Sequence, residues 1–130
     1  MKTSYNVTVS YTSKELSAKE RISIKDTTNA TPIDTAIDNP DIPLLISPDF
    51  YAVLKVHNEK AKDNPDYTKY VIVDKSGQKY VTGSESFFNA FSEIWEEMSA
   101  DGNGEDFSIE CYKRPSKNYK GKSFITCSIV

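Results

Sequence analysis

The chain has 130 residues and a mass of 14.6 kDa, enough for one domain whose folding removes roughly two thirds of the unfolded surface from water. Hydrophobic residues make up 38% and charged residues 27%, which excludes a disordered chain, and two cysteines are too few for a disulfide scaffold. No apolar run approaches the roughly 18 residues of a membrane span, and the alternating start MKTSYNVTVSY lacks the apolar block of a signal peptide, so a soluble cytoplasmic domain with no membrane partner is expected.

The first 49 residues read as an extension, since they hold too few apolar residues for a core of their own. Residues 5–11 and 20–25 have the pattern of short strands, and Thr12-Ser13-Lys14-Glu15 has the spacing of a capping box before a helical turn. Residues 26–43 are rich in turn formers, and 44–47 (LLIS) read as another short strand.

From Phe50 onwards the elements are clearer. Residues 50–57 (FYAVLKVH) and 68–74 (TKYVIVD) read as strands separated by the Asn-, Asp- and Pro-containing loop 58–67. Lys75-Ser76-Gly77 turns the chain into a third strand at 78–82, with Gly77 free to take positive φ. Thr82-Gly83-Ser84-Glu85 has capping-box spacing, and Phe87, Phe88, Phe91, Ile94, Trp95 and Met98 then recur on one face at period 3.6, which predicts a helix with an apolar stripe facing the core. Asp101-Gly102-Asn103-Gly104 ends it. Residues 107–112 and 123–129 alternate as two half-buried strands, joined by the loop KRPSKNYKGK at 113–122.

Five strands with one helix between the third and fourth is the order of an oligonucleotide/oligosaccharide-binding (OB) barrel. The fold class expected is therefore mainly β, an OB-like barrel over 50–130 with the 1–49 extension packed on it, all in one domain. In that architecture, ligands lie on the second and third strands and on the loops joining strands 1–2 and 4–5, here 58–67 and 113–122.

The formal net charge of −3 conceals a polarised chain. Residues 83–110 carry eight acidic groups and no basic one, whereas 111–122 carry Lys113, Arg114, Lys117, Lys120 and Lys122 and no acid. Single-strand recognition needs cations that track phosphates and aromatic faces on which bases stack. The cationic loop supplies the first, with Lys60 and Lys62 in the 58–67 loop. Tyr119 inside the loop, Tyr112 and Phe124 bracketing it, and Tyr70 and Tyr80 on strands 2 and 3 supply the second. Ordinary core packing is the competing role for Tyr70 and Tyr80, and the acidic helix face is expected to be solvated.

No catalytic set is expected. His57 is the single histidine, neither Cys111 nor Cys127 has C-x-x-C spacing, and both read as reduced core thiols, so neither a metal nor another cofactor is implied. Gly121-Lys122-Ser123 resembles the end of a phosphate-binding loop, but position 116 is Ser116, not glycine, and a strand follows instead of a helix.

The stretch KYVTGSESFFNAFSEIWEEM and the closing SKNYKGKSFITCSIV resemble small single-stranded DNA-binding proteins of phages and mobile elements in Gram-positive bacteria. The resemblance covers roughly residues 50–130. It implies an OB fold that binds single-stranded DNA without marked sequence preference, in replication or recombination in a bacterial cytoplasm, with Lys117, Lys120 and Lys122 on phosphates. RNA as the bound strand, and a homo-oligomer, stay open. The alternative from another class is a protein-interaction module using the acidic helix or an open barrel edge, such as a phage-encoded inhibitor or assembly factor.

Overall fold

The computed structural model describes residues 5–39, 41–60, 64–101, 107–115 and 123–130. The elements follow as β1 (Tyr5–Thr12), α1 (Ala18–Lys25), β2 (Thr31–Pro32), α2 (Ile33–Ala36), β3 (Leu44–Ile46), β4 (Pro48–Asn58), β5 (Asp66–Asp74), β6 (Lys79–Thr82), α3 (Glu85–Ala100), β7 (Ile109–Pro115) and β8 (Ser123–Ile129). The fold is mainly β and has two sheets, one of five strands in the order β1-β4-β5-β6-β2 and one of three in the order β3-β7-β8. Among the described residues neither sheet closes into a barrel, since β6 and β8 do not pair.

The two sheets share one stretch of chain. Only Ser47 separates β3 from β4, so the backbone from Leu44 to Asn58 leaves the smaller sheet and enters the larger one almost without interruption. Fully buried Pro48 opens β4; lacking an N–H, it suits a point where one ladder gives way to another. The bend is pinned by the Lys75 amide, which donates to the Ser47 carbonyl at 3.0 Å, and by the Ser47 and Ser108 hydroxyls, 2.7 Å apart.

β4 is covered on both faces, which is why FYAVLKVH reads as a nearly continuous apolar run instead of an alternating one. On one side Phe50, Ala52 and Leu54 join Val71 and Val73 of β5 beneath Leu16 and Ile24. On the other, Tyr51 joins Ile72 and Tyr80 against Ile109, Cys111, Ile125 and Cys127 of the smaller sheet and Phe87 and Phe91 of α3. The Tyr51 ring meets Phe88, Phe91 and Trp95 nearly edge-on, at centroid separations of 5.5, 5.3 and 5.3 Å. Burial, with Tyr11 adding to it, pushes the Tyr51 phenol up to about 12.

The helix predicted from the aromatic stripe is α3, with Phe87 and Phe91 fully buried and Trp95 half-buried. Its cap differs from the expected box. Ser84, not Thr82, is the N-cap, its Oγ accepting the Phe87 amide at 3.1 Å, while the Thr82 hydroxyl accepts the Ser84 amide one step earlier. Likewise, the box expected at residues 12–15 is replaced by one at Ser17 and Glu20, which exchange side-chain and backbone hydrogen bonds. The helix it opens is α1, so residues 20–25, expected as a strand, are helical. Ile22 and Ile24 alternate with polar residues as a strand would, yet only Ile24 is buried. The strands expected at 5–11 and 44–47 are present as β1 and β3. β1 pairs antiparallel with β4, with a bulge between Val9 and Tyr11.

The β5–β6 turn uses Gly77 at φ 93°, and one Asp74 carboxylate oxygen accepts the Ser76 and Gln78 amides and the Ser76 hydroxyl. Cys111 and Cys127 are opposite one another across β7 and β8, buried and unbonded; burial raises both thiols, Cys127 to about 12. No helix among the described residues is long and apolar enough to cross a membrane.

Phe91→Ala is expected to lower the unfolding free energy by about 3–5 kcal/mol in urea titrations followed by circular dichroism, because its ring is fully buried. Ile22→Ala, at a side chain 72% exposed, is expected to change it by less than about 0.5 kcal/mol.

Candidate nucleic-acid interface

In the smaller sheet, Ile109, Cys111, Ile125 and Cys127 point into the core, so the alternate residues point outwards. Register then sets Arg114 opposite Phe124, Tyr112 opposite Thr126, and Glu110 between Ser128 and Leu45. The outward face thus carries two aromatic rings and a guanidinium at the end where the chain enters the 116–122 segment. Phe124 is 41% exposed. The Arg114 guanidinium lies over the Tyr112 ring at 5.0 Å, and its Nη2 donates to the Tyr112 hydroxyl at 3.2 Å. The same hydroxyl hydrogen-bonds Ser128 at 2.6 Å. Hydrogen bonds from Ser128 and then Arg114 hold the Tyr112 phenol below its ordinary pKa.

Phe124 also forms the rim of a groove of about 610 Å³ between β8 and the larger sheet, where β6 and β8 fail to meet. β5 runs on past the last residue that pairs with β6, Tyr70, so Tyr67, Thr68 and Lys69 border the groove without a β6 partner. Val81, Thr82, Gly83, Ser84, Ser123 and Ile125 line it as well, and Pro32 and the acidic Asp34 close it on the α2 side. A side chain at Gly83 would come within 3.8 Å of the Thr68 carbonyl, ordinary contact, so the glycine is not required by space. Lys69 reaches across to the Thr27 hydroxyl at 3.2 Å.

The structure separates the residues expected in the site. Tyr112, Arg114 and Phe124 come together, whereas Tyr70 and Tyr80 do not join them. Tyr80 is 6% exposed and belongs to the core. Tyr70 lies under α3, its ring stacked on Phe88 at 4.2 Å and 11° between planes, and burial followed by Glu85 raises its phenol. Both rings are on the face of the larger sheet turned towards the smaller one, Tyr80 buried and Tyr70 half-buried with one ring face against Phe88. The opposite face of β5 and β6, which a ligand would need in the expected arrangement, is covered by the N-terminal region: Leu16 and Ile24 pack on it, and Lys79 Nζ donates to the Ser23 and Asp26 carbonyls at 2.7 and 3.0 Å. Lys113 is half-buried on the core-facing side of β7, away from Arg114. Lys60 is exposed in the turn after β4, its amide donating to the Asn58 side chain at 3.0 Å. Lys62, Lys117, Tyr119, Lys120 and Lys122 lie outside the described residues.

Sequence reasoning missed Tyr67 and Lys69. Both fall at the boundary between the expected 58–67 loop and the following strand, and alternation from Tyr67 through Lys69 to buried Val71 was the available signal.

At the other end of β4, His57 lies between two carboxylates, its Nδ1 2.7 Å from Asp66 and its Nε2 3.6 Å from Glu59. The Asp66 hydrogen bond, with Glu59 adding to it, raises the imidazole above its ordinary 6.5. Among the described residues, no cluster of three or more histidine, cysteine or acidic side chains is arranged to hold a metal ion.

Comparison of the chain with protein-family models, with curated proteins and with solved structures gave no match.

Because the folded-state pKa of His57 is raised, protonation stabilises the fold. That contribution is complete below the unfolded value near 6.5 and disappears as pH rises through the folded value. The stability difference between the wild type and His57→Asn, measured by urea unfolding, is therefore expected to favour the wild type more at pH 5.5 than at pH 8.5.

Proposed function

We propose that the chain binds single-stranded nucleic acid, DNA by the resemblance of its sequence, without sequence preference and without catalysis, in replication or recombination. The observation that carries this reading is the outward face of the smaller sheet, where exposed Arg114 and Phe124 lie beside half-buried Tyr112 at the root of a segment that holds five cations and no acid between residues 111 and 122. Aromatic faces beside cations are what sequence-tolerant single-strand binding requires.

The fold supports an OB-type reading in an open form. A stretch shared by both sheets (β3 with β4), followed by β5, β6, α3, β7 and β8, has the order of the five-stranded barrel, with the bent first strand pairing with both the second and the fourth. The gap between β6 and β8 is where such a barrel is open, and the groove rimmed by Phe124, Tyr67 and Lys69 lies in it. A strand crossing from Tyr112 and Arg114 over Phe124 would enter this groove. The part of the β5 and β6 face that Leu16 and Ile24 cover, at Val71 and Val73, is left out of the proposed path.

The test is fluorescence anisotropy of labelled oligo-dT, oligo-dA and matched duplex at two salt concentrations. Binding to both single strands, weaker binding to duplex and a steep loss with salt are expected. Phe124→Ala is expected to cost about 1–3 kcal/mol of binding free energy if the ring stacks on a base. Arg114→Glu is expected to weaken binding and to reduce the salt slope by about one phosphate contact or more. Lys117→Glu with Lys120→Glu is expected to abolish binding at moderate salt. Absence of binding at low salt, or affinity unchanged in all three variants, would overturn the proposal.

A further inference from the structure

β1 is the outer strand of the larger sheet. It pairs with β4 on one side, and among the described residues no strand pairs with its other side. Its eight residues, YNVTVSYT, include no charge and no proline. Natural edge strands usually carry such residues to discourage a further strand. The bulge between Val9 and Tyr11 is one such device, α1 packs beside the strand, and the strand continues regularly on either side of the bulge.

A groove of about 520 Å³ follows this strand, lined by Thr8, Val9, Ser10, Tyr11 and Thr12 and by Arg21 and Lys25 of α1. Successive strand side chains alternate between the faces of a sheet, so a groove lined by five consecutive residues runs along the strand's edge. Tyr11 is 54% exposed there. Arg21 and Lys25 are four residues apart and share a face of α1. Both are exposed, and neither side chain has an ion-pair or hydrogen-bond partner among the described residues, unlike Lys14, held 3.7 Å from Glu20, or Lys79, held by backbone carbonyls. No acidic residue lines the groove.

We propose that this edge receives an acidic peptide segment of a partner protein as an added strand. Main-chain hydrogen bonds to β1 would supply the pairing, and carboxylates would meet Arg21 and Lys25. The charge on α1 selects the partner, since two unpaired cations beside an uncharged edge favour carboxylates over any other side chain. Residues of an added strand that face the same side alternate along it, so carboxylates turned towards α1 fall two residues apart. The occupant therefore carries acidic residues at alternate positions. This surface is separate from the Tyr112–Phe124 face, and the inference does not rest on nucleic-acid binding.

The experiment titrates the full chain into a fluorescein-labelled eight-residue peptide in which valine alternates with aspartate, at low salt, and follows anisotropy. Expected are saturable binding, no binding of a counterpart with lysine for aspartate, and loss of binding when alternate peptide amides are N-methylated. Arg21→Glu with Lys25→Glu is expected to weaken binding at least about tenfold, and Arg21→Gln with Lys25→Gln to weaken it less, with circular dichroism unchanged for both because the side chains are exposed. No binding by the wild type, equal binding by the charge-reversed variant, or equal binding of the N-methylated peptide would each overturn the proposal. So would a concentration-dependent dimer in sedimentation that Val9→Pro dissolves, which would give the edge to a second copy, or loss of oligo-dT binding in the charge-reversed variant without loss of peptide binding, which would give it to nucleic acid.

Discussion

The stretch from Leu44 to Asn58 is the constraint on which the rest of the fold depends. Because one piece of backbone pairs with β7 before Ser47 and with β1 and β5 after Pro48, the two sheets cannot move apart or slide independently. Their facing sides enclose a single apolar space, and α3 fills it, burying Phe87 and setting Phe88, Phe91 and Trp95 against Tyr51. A residue without an N–H at the crossing point, flanked by two hydrogen bonds to Ser47, lets the strand change sheets without leaving a buried amide unpaired.

That arrangement decides which surfaces remain for binding. The larger sheet is occupied on both faces, by α3 and the smaller sheet on one side and by Leu16 and Ile24 on the other, so its central strands contribute rings to the interior. Among the described residues, the smaller sheet is covered on one face only. Its outward side carries Tyr112, Arg114 and Phe124 towards one end and Glu110 towards the other, and the acidic groups of α3 at Glu93, Glu96 and Glu97 are not part of it. The modest negative net charge therefore does not describe the Arg114 end of this face, since residues 111–122 hold five cations and no acid.

Much of the element order was legible in the sequence, because hydrophobic period and turn chemistry are local. The aromatic stripe of α3, the Gly77 turn and the alternation of 107–112 and 123–129 each reflect neighbours within a few residues. Errors arose where two local patterns compete. Ile22 and Ile24 fit a strand's alternation, but the Ser17–Glu20 cap starts a helix whose single buried contact is Ile24. The T-x-x-E spacing occurs at Thr12 and at Thr82, yet in both places a serine closer to the first helical turn takes the cap. The site was half legible. Tyr112 and Phe124 could be marked from their position beside the cations, but which face Tyr70 and Tyr80 present depends on where α3 and the N-terminal region pack, and that is a long-range property. Pairing is equally non-local: nothing in YNVTVSYT indicates that it joins the far side of β4.

The paired thiols of β7 and β8 have a practical consequence. Both sulfurs are shielded from solvent and are held in the protonated form well above neutral pH, and these are the only cysteines in the chain. Maleimides and similar electrophiles attack thiolates, so under native conditions the wild-type protein reacts slowly with them. A cysteine introduced at an exposed position therefore becomes a selective attachment point for a dye or spin label without replacing either native residue, and distances across the molecule become measurable in the otherwise unaltered protein.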